Sequence, residues 1–536
     1  FRPDEFAYPR WPGNLKQYKL GLDAGNIKLV DAREELALNP TTGFIDDCSR
    51  SYWTDPDPDD YWDFSPSGTC EDNGISLAVS DSPDGPYVEK GAQSHVMRSA
   101  VPTAREVWTC ADASCASVAP FDPDTITGST YEALFQADDP NDLAQLVTWA
   151  IGVDLDDDNI DGDDSDTRAW IHGDVIHSRP IALNYGDRDN PAVIVYYGAN
   201  DGMLRAINGN QADDAFGYAP GEELWSFMPP EFYGEIKRLR VNTETVKFPA
   251  TGPDAVLSGS RKAYGMDGVI TAFEGDAVVS GTPKTDLKYI YATMRRGGRA
   301  VYAFDVSDPN DPGAKLAWKK GCDASGCSAD TADGSGWTDI GETWSAANVA
   351  YVNGRTNPVL IMGGGYDECE DVDNGSGNEN HDCVASDSGD HIYVMDAISG
   401  DLLKVFDTLR AVPGGVTIVP ITDASSANPT PDIAFAYATD TGGNVYRISG
   451  PLDDTDNNAS TPDNATVIGS TLPADWELTR IASFGCDTIG TACDANRKFL
   501  FGPDVVRSLS DSAIFRILVG SGDREKPIIN YSATTD

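Results

Sequence analysis

The segment AVIVYYGANDGMLRAINGN at 192–210, followed by GEELWSFMPP at 221–230, contains the pattern on which the fold prediction rests. Its β-branched and aromatic run at 193–197 ends at Gly198 and an Asn-Asp-Gly turn, which is typical of a strand that enters a hairpin. Similar strand–turn–strand units recur at 287–320, 357–406 and 431–450, with partial copies at 13–20 and 515–527. Strand pairs repeated at intervals of roughly 50 to 100 residues predict an all-β, irregular β-propeller.

A partial repeat at each end of the chain would close the ring between the first and last blades. The predicted organisation is one propeller domain: first strands at 1–44, an insertion at 45–153, an acidic loop at 154–168, and the remaining blades with their disulfide-bearing loops at 169–536. The alternative that these strand pairs leave open is a pair of β-sandwiches.

The insertion is expected to be partly helical. In DDPNDLAQLVTWAIG at 138–152, apolar residues recur at helical spacing, which predicts a helix near 139–152. Asp139 or Asn141 can cap this helix, and Pro140 suits its first turn.

The composition restricts the possible partners. The 536-residue chain has 86 Asp and Glu against 39 Lys and Arg, a formal net charge of −47. This balance argues against nucleic acid and anionic membrane surfaces, because both require clustered positive charge. No apolar run approaches the ~18–20 residues of a membrane span. The first residues, FRPDEFAYPRWPGNL, lack the features of a signal peptide, so we expect a processed chain or a fragment.

Ten cysteines indicate an oxidising compartment, the periplasm or the cell exterior. No C-x-x-C motif is present and the five His lie apart from the cysteines, which disfavours zinc. Taken in order, the cysteines predict five local disulfides, at 48/70, 110/115, 322/327, 369/383 and 486/493.

The segment DLDDDNIDGDDSDTR at 154–168 carries eight aspartates and one asparagine. Counting from Asp157, oxygen-bearing side chains fall at the first, third and fifth positions with Gly162 at the sixth, as in a calcium-binding loop. The predicted ligands are Asp157, Asn159, Asp161, Asp163 (through its carbonyl) and Ser165.

The predicted ion is Ca²⁺ rather than Mg²⁺, because a flexible protein cage of oxygens suits the larger ion. Arg168 occupies the twelfth position, where a bidentate Glu is usual, so Asp166 or a residue from elsewhere must complete the coordination. The alternative is a solvated acidic loop in an acidic protein. A weaker acidic stretch, ECEDVDNGSGNENHDC at 368–383, contains Asp371, Asp373 and Asn374 and leaves a second cation open against a disulfide-closed polar loop.

The run RAWIHGDVIHSRPIALNYGD at 168–187, followed by VYYGANDGMLRAINGN and GEELWSFMPP, resembles the C-terminal domain of the PilY family of type IV pilus biogenesis proteins and pilus tip-associated adhesins. The resemblance implies a modified seven-bladed β-propeller with an EF-hand-like calcium loop, whose pattern falls on Asp157, Asn159, Asp161, Asp163 and Ser165. It further implies an extracellular protein at the pilus tip that works with minor pilins, supports pilus extension against retraction and contacts host or abiotic surfaces.

Three other functions are compatible with parts of the sequence. His172, Asp174, His177 and Ser178 contain the residue types of a hydrolase triad, but neighbouring strand residues point to opposite faces and no G-x-S-x-G surrounds Ser178. Blades of this form also resemble those of quinoprotein dehydrogenases, although the chain has no adjacent Cys-Cys pair and its acidic residues cluster on one loop. A lectin-like surface scaffold is the third alternative. The favoured prediction is a non-enzymatic, calcium-binding propeller.

Overall fold

The computed structural model describes residues 8–23, 25–54, 71–72, 75–76, 84–112, 115–158, 162–246, 261–310, 315–323, 326–328, 336–352, 354–371, 388–421, 432–453, 464–465, 471–485, 497–508 and 514–522. The helices within these ranges are α1 (Ala92–Arg98), α2 (Ser129–Phe135), α3 (Pro140–Ile151) and α4 (Tyr233–Val241). Short 3-10 turns occur at Pro102–Ala104, Pro230–Phe232, Glu368–Asp371 and Pro473–Asp475.

Strands account for most of the remaining regular structure. In the first half of the chain they are β1 (Lys19–Asp23), β2 (Asn26–Val30), β3 (Glu71–Asp72), β4 (Ile75–Ser76), β5 (Val107–Cys110), β6 (Val118–Pro120), β7 (Ile181–Asn184), β8 (Val193–Gly198), β9 (Leu204–Asn208), β10 (Glu223–Met228), β11 (Ile270–Val279) and β12 (Thr282–Thr293). In the second half they are β13 (Arg299–Asp305), β14 (Leu316–Asp323), β15 (Gly326–Cys327), β16 (Asn348–Ala350), β17 (Val359–Gly363), β18 (His391–Asp396), β19 (Leu402–Asp407), β20 (Thr417–Ile421), β21 (Asp432–Thr439), β22 (Asn444–Ser449), β23 (Leu452–Asp453), β24 (Asn464–Ala465), β25 (Glu477–Ser483), β26 (Asp504–Arg507) and β27 (Phe515–Leu518).

Four sheets follow one another along the described chain, each built around an antiparallel meander. Their strand orders are β6-β5-β10-β9-β8-β7, β11-β12-β13-β14-β15, β16-β17-β18-β19 and β20-β21-β22-β25. We call them blades one to four. Consecutive strands pair with each other along β7–β10, β11–β15, β16–β19 and β20–β22, which is the connectivity of propeller blades.

The blades pack face to face, and blade two shows how. Successive side chains of a strand point to opposite faces of its sheet. Ile290 and Ala292 of β12 therefore lie in a core shared with blade one, whereas Tyr289 and Tyr291 lie in a core shared with blade three. All four are buried, so both faces of this strand are covered.

Blade three repeats the arrangement. Leu360 and Met362 of β17 pack toward blade two, and Val359 and Ile361 of the same strand pack toward blade four. A two-layer sandwich buries only one face of each sheet. The pair of sandwiches is therefore excluded for this part of the chain, because its middle sheets are buried on both sides.

The Asn-Asp-Gly turn in the opening segment fixes the approach of blade one to its neighbours. Gly202 has φ of 101°, and a Cβ there would lie 2.2 Å from the ring of Phe232. At Gly198 a Cβ would lie 1.9 Å from the carbonyl oxygen of Met266. Glycine is required at both positions, by the backbone conformation at the first and by close packing at both.

The predicted insertion takes part in blade one, which the sequence pattern did not indicate. Strand β5 pairs in parallel with β10, and β6 pairs with β5, so two strands from this segment extend the sheet. Helices α2, α3 and α4 pack against each other over a core in which Phe121, Phe135 and Tyr233 stack. The helix predicted near 139–152 is present as α3.

Two of the five predicted disulfides lie within the described residues, Cys110–Cys115 and Cys322–Cys327. Cys48 and Cys369 are also disulfide-bonded, but the partners predicted for them, and the pair 486/493, lie outside the described residues. The number of seven blades and the closure of the ring stay predictions. Among the described helices, none has the length and apolar character needed to cross a bilayer.

Truncation of a single side chain buried between two blades should lower the stability of the protein strongly. Leu360→Ala removes a fully buried side chain between blades two and three and should lower the free energy of unfolding by about 2–5 kcal/mol. Urea denaturation measures this. The control Leu409→Ala, at a side chain 49% exposed, should change stability by less than about 0.5 kcal/mol. Equal effects of the two substitutions would contradict the two-sided packing.

Candidate metal centre

Helix α3 immediately precedes the acidic loop. The carboxylate of Asp139 caps it, accepting hydrogen bonds from the amides of Asn141 and Asp142 at 2.9 Å each. The helix ends at Gly152, whose φ of 117° is open to glycine and strained for other residues. Its inner face is buried against α2 and α4. The entry to the loop is therefore fixed by a capped, packed helix.

The base of the loop is closed by backbone hydrogen bonds. Val153 and Thr167 form an antiparallel bridge, and the amide of Arg168 donates to the carbonyl of Gly152 at 2.9 Å. The hydroxyl of Thr167 donates to the carbonyl of Ala100 at 2.7 Å. The two ends of the loop are thus held together and tied to the segment after α1.

Asp154 is the buried member of the acidic segment. Its amide donates to the carbonyl of Asp166 at 2.9 Å, and both of its carboxylate oxygens accept from the amide of Asp158 at 3.0 Å. Its side chain is fully inaccessible. Asp154 therefore shapes the turn that begins the loop.

Two aspartates of the loop are directed toward arginines from distant parts of the chain. The carboxylate of Asp156 pairs with Arg240 of α4 at 2.8 Å, and that of Asp158 pairs with Arg10 at 2.9 Å. Both pairs line a cleft of about 510 Å³ between the loop, α3 and α4. These arginines neutralise part of the charge that the sequence concentrates here.

Three of the predicted ligands lie within the described part of the loop: Asp157 is half-buried, and Asp163 and Ser165 are exposed. Asp157 has φ of 50°, and its Oδ1 accepts from the amide of Gly162 at 3.2 Å. Asp163 Oδ1 accepts from the hydroxyl and the amide of Ser165, at 2.6 and 2.9 Å. These hydrogen bonds lower the pKa of the Asp163 carboxyl and keep it ionised.

The other two predicted ligands, Asn159 and Asp161, lie outside the described residues. Within the described part of the chain, no three His, Cys, Asp or Glu side chains form a cluster that could hold a metal ion. The described donors, the carboxylate of Asp157, the backbone carbonyl of Asp163 and the hydroxyl of Ser165, are oxygens of the chemical type that Ca²⁺ takes. The donor set thus fits a hard cation and needs the two central residues for completion.

Arg168, at the position where a calcium loop usually has Glu, has a structural role. Its guanidinium lies 4.0 Å from the ring of Trp149 and donates to the carbonyls of Trp149 and Trp170 at 3.2 and 2.6 Å. Burial lowers its pKa to about 9. This cation fastens the exit of the loop to the end of α3, a function that its place in the sequence did not indicate.

The residues considered for a hydrolase triad make separate structural contacts. His177 Nδ1 pairs with Asp267 at 2.5 Å, and Asp174 pairs with Lys262 at 2.7 Å. The hydroxyl of Ser178 accepts from the amide of Gly198 at 2.9 Å. These contacts join the segment after the loop to blade one and to the chain that precedes β11, as expected for structural hydrogen bonds, and do not assemble a triad.

The second acidic stretch is only partly described. Asp371 forms a bidentate pair with Arg296, at 2.7 and 3.0 Å, and accepts from the hydroxyl of Tyr366 at 2.9 Å. Its carboxylate is therefore engaged by an arginine. Asp373 and Asn374 lie outside the described residues.

A buried ion-pair network inside blade one was missed by sequence reasoning. Arg205 is fully buried, pairs with Asp201 at 2.5 Å, and lies 3.3 Å from Glu223, which also pairs with Arg105 at 2.9 Å. Burial alone would raise the pKa of the Asp201 carboxyl. The charge of Arg205 outweighs burial and holds this pKa far below its usual range, so the carboxylate stays ionised. The available signal was an arginine inside the apolar strand LRAIN at 204–208.

Consecutive antiparallel sheets that share their faces define a protein of the β-propeller class. A family model described as the PilY1 beta-propeller domain matches residues 182–522, and the chain belongs to this family. The match begins just after the acidic loop and covers all four blades except the strands contributed from 107–120 and the first residue of β7.

Two curated relatives carry the same family name. The chain is 24% identical over 451 residues to the type IV pilus biogenesis factor PilY1 of Pseudomonas aeruginosa (strain UCBPP-PA14), covering 78% of this chain and 33% of that protein. It is 25% identical over 218 residues to the PilY1 homologue of Xylella fastidiosa (strain Temecula1 / ATCC 700964), covering 37% of this chain and 14% of that protein. The chain thus spans a third or less of the length of either relative.

Among solved structures, the C-terminal domain of P. aeruginosa PilY1 is similar at 20% identity, with a TM-score of 0.35 over 62% of this chain and 53% of that one.

A buried histidine beside the loop's exit gives a pH dependence with a definite sign. His172 Nδ1 donates to the carbonyl of Gly173 at 2.6 Å, and its Nε2 accepts from the hydroxyl of Tyr197 at 2.8 Å. Burial, reinforced by the charge of Arg205, lowers the pKa of His172 to about 3. In the unfolded chain the pKa of this histidine returns to about 6.5. Its contribution to the free energy of unfolding is therefore fully present above pH ~6.5, and it falls by up to about 1.4 kcal/mol per pH unit below that pH.

His172→Gln should therefore destabilise the protein most at pH 7, and the difference from the parent should shrink by about 2 kcal/mol at pH 5. Urea denaturation at both pH values measures the difference. His95→Gln serves as the control for loss of one histidine at a less buried position. A difference that is constant or grows toward pH 5 would show that His172 is not held neutral.

Proposed function

We propose that this chain is the calcium-binding propeller of a type IV pilus tip protein that supports pilus assembly and extension against retraction and contributes to surface adhesion. The observation that carries the proposal is the family match over residues 182–522, with the aspartate-rich loop directly preceding it. Both named relatives are described as type IV pilus biogenesis factors or homologues of one.

The arginine pairs of the acidic loop involve aspartates outside the predicted ligand set. Asp156 pairs with Arg240 and Asp158 pairs with Arg10, whereas the predicted ligands include Asp157 and Asp163. These pairs anchor the loop to the protein body. The amide of Gly162 donates to Asp157, so the chain turns back on its first predicted ligand.

Charge repulsion within the loop is smaller than its eight aspartates alone would produce. Repulsion among eight aspartates would favour a bound cation if all of them were unpaired. Arg10 and Arg240 neutralise two, and Asp154 is held by backbone hydrogen bonds. The proposal therefore depends on the donor types and their order along the loop more than on total charge.

The proposed location is the cell exterior, at the pilus tip, with export through the periplasm. Two local disulfides support passage through an oxidising compartment. The proposed partners are minor pilins and host or abiotic surfaces. The net charge of −47 makes nucleic acid and anionic lipid poor partners.

The proposed role is non-enzymatic, and a quinoprotein dehydrogenase is the alternative that a single spectrum distinguishes. A bound quinone would absorb in the near ultraviolet or visible range and would be released on denaturation. A protein that takes up such a cofactor stoichiometrically and oxidises alcohols would replace the proposed role with an enzymatic one.

Calcium binding is tested by calorimetric titration of the chelator-treated protein. We expect one saturable site, with an affinity at least tenfold lower in Asp161→Ala, because a carboxylate ligand contributes a full charge to a site of few ligands. Asp164→Ala removes the same charge from an exposed position of the same loop outside the predicted ligand set, and it should bind nearly as the parent does.

Equal losses in the two variants would indicate a diffuse charge effect and not a site. Absence of binding in the parent would return the loop to the solvated alternative, while the family assignment would remain.

The role in pili is tested in a pilus-producing strain in which the variants replace the chromosomal copy of the full-length protein. Asp161→Ala should reduce surface pili and twitching motility, whereas Asp164→Ala should leave both near the parental level. Sheared surface pili measured by pilin immunoblot, together with twitching-zone diameter, provide the readouts. Normal piliation in Asp161→Ala, with calcium binding abolished in vitro, would separate the ion from the pilus function.

A further inference from the structure

A pocket of about 560 Å³ lies between helix α2, the start of helix α4 and the end of strand β14. Its volume is within the ~300–1,000 Å³ typical of ligand pockets. The side chains that matter for its chemistry are those of Tyr131, Leu134, Pro230, Glu231, Tyr233 and Asp323. It is separate from the acidic loop 154–168, which contributes none of its described lining.

The polar part of the pocket is formed by acidic side chains that are held in place by neighbouring groups. Lys319 Nζ pairs with Glu231 at 2.8 Å and also with Asp323, and the hydroxyl of Tyr302 donates to Glu231 at 2.6 Å. The side chains of Glu231, Lys319 and Asp323 are only 7%, 6% and 14% exposed. Two carboxylates thus share one ammonium group, so the three groups together carry a net charge of −1 at neutral pH.

The apolar part of the pocket is aromatic and rigid. The rings of Tyr131 and Tyr233 lie 6.2 Å apart at 59°. Tyr233 is fixed from behind, because Phe135 stacks on it at 4.5 Å and its hydroxyl lies 2.5 Å from that of Thr109. Little side-chain ordering would be needed when a ligand enters.

We propose that this pocket binds a lysine or arginine side chain presented by a partner protein. Aromatic faces and carboxylates both attract a cation, the first through the ring quadrupole and the second through charge. The same combination already occurs beside the pocket, where Lys319 lies 5.7 Å from the ring of Tyr302 while it pairs with Glu231. The methylene stem of a lysine or arginine would pack on Leu134 and Pro230.

Charge complementarity favours this occupant over a neutral one. A protein with a net charge of −47 attracts basic partners and repels acidic ones at long range. A neutral sugar could use the aromatic rings and donate hydroxyl hydrogen bonds to the carboxylates, but it would not compensate their negative charge. The proposal does not depend on calcium or on the pilus role.

Saturation-transfer NMR with Nα-acetyl-lysine methylamide and Nα-acetyl-arginine methylamide tests the pocket directly. The norleucine analogue matches the apolar stem without the charge, and methyl α-D-glucoside represents a neutral sugar. We expect millimolar binding of the two cationic probes. It should weaken at least fivefold in Tyr131→Leu, which removes a partly exposed ring, and in Asp323→Asn, which removes the surplus charge.

Matched controls are Tyr87→Leu and Asp187→Asn, which make the same changes at exposed positions outside the pocket and should bind as the parent does. Equal binding of the norleucine analogue would overturn the proposal, as would cation binding unaffected by both pocket variants or binding of the sugar alone. Because Tyr131→Leu leaves the acidic loop intact, its calcium titration should match the parent, so failure here does not bear on the metal site.

Discussion

The structure depends on the burial of both faces of the inner strands. A strand such as β12 directs Ile290 and Ala292 to one neighbouring blade and Tyr289 and Tyr291 to the other, so neither blade can be removed without exposing a full apolar face. An isolated four-stranded sheet of this composition would leave both of its apolar faces exposed to water. Each blade therefore requires its neighbours, and the connections between blades can vary in length because the stacked faces carry the stability.

The same stacking determines where charge is placed. A chain with 86 acidic residues must satisfy any acid that packing draws inside, and at several buried positions it does so with arginines on other segments of the chain. Arg205 pairs with Asp201 inside blade one, and Arg296 pairs with Asp371 near blade three. Two aspartates of the loop pair with Arg10 and Arg240.

The sequence predicted the parts of the fold that follow from periodicity. The β-branched and aromatic residues at 193–197 predicted a strand, which is present as β8. The helical spacing of apolar residues at 138–152 predicted a helix, which is present as α3. It did not predict the parallel pairing of β5 with β10, because a four-residue strand such as VWTC has no partner signal in its own residues. Nor could it show that Arg168 stacks on Trp149, since that contact depends on how the helix and the loop's exit are packed together. For the metal centre, the ligand set read from the sequence stays a prediction, and the pairing of Asp156 and Asp158 with Arg240 and Arg10 could not be read from the sequence because both arginines are distant along the chain.

The way in which the loop is anchored bears on what a bound calcium would do. Its base is closed by the Val153–Thr167 bridge, its first turn by the buried Asp154, and its exit by the stacked Arg168, all through the protein's own groups. An ion at Asp157, Asn159 and Asp161 would act on the tip, beyond these attachments. An ion present at a hundred times its dissociation constant would stabilise the ion-bound conformation by about 2.7 kcal/mol, which is enough to order a loop. The cores between the blades are built from residues remote from this loop. If the proposed calcium ion binds, it would therefore act on this loop and not on the cores between the blades.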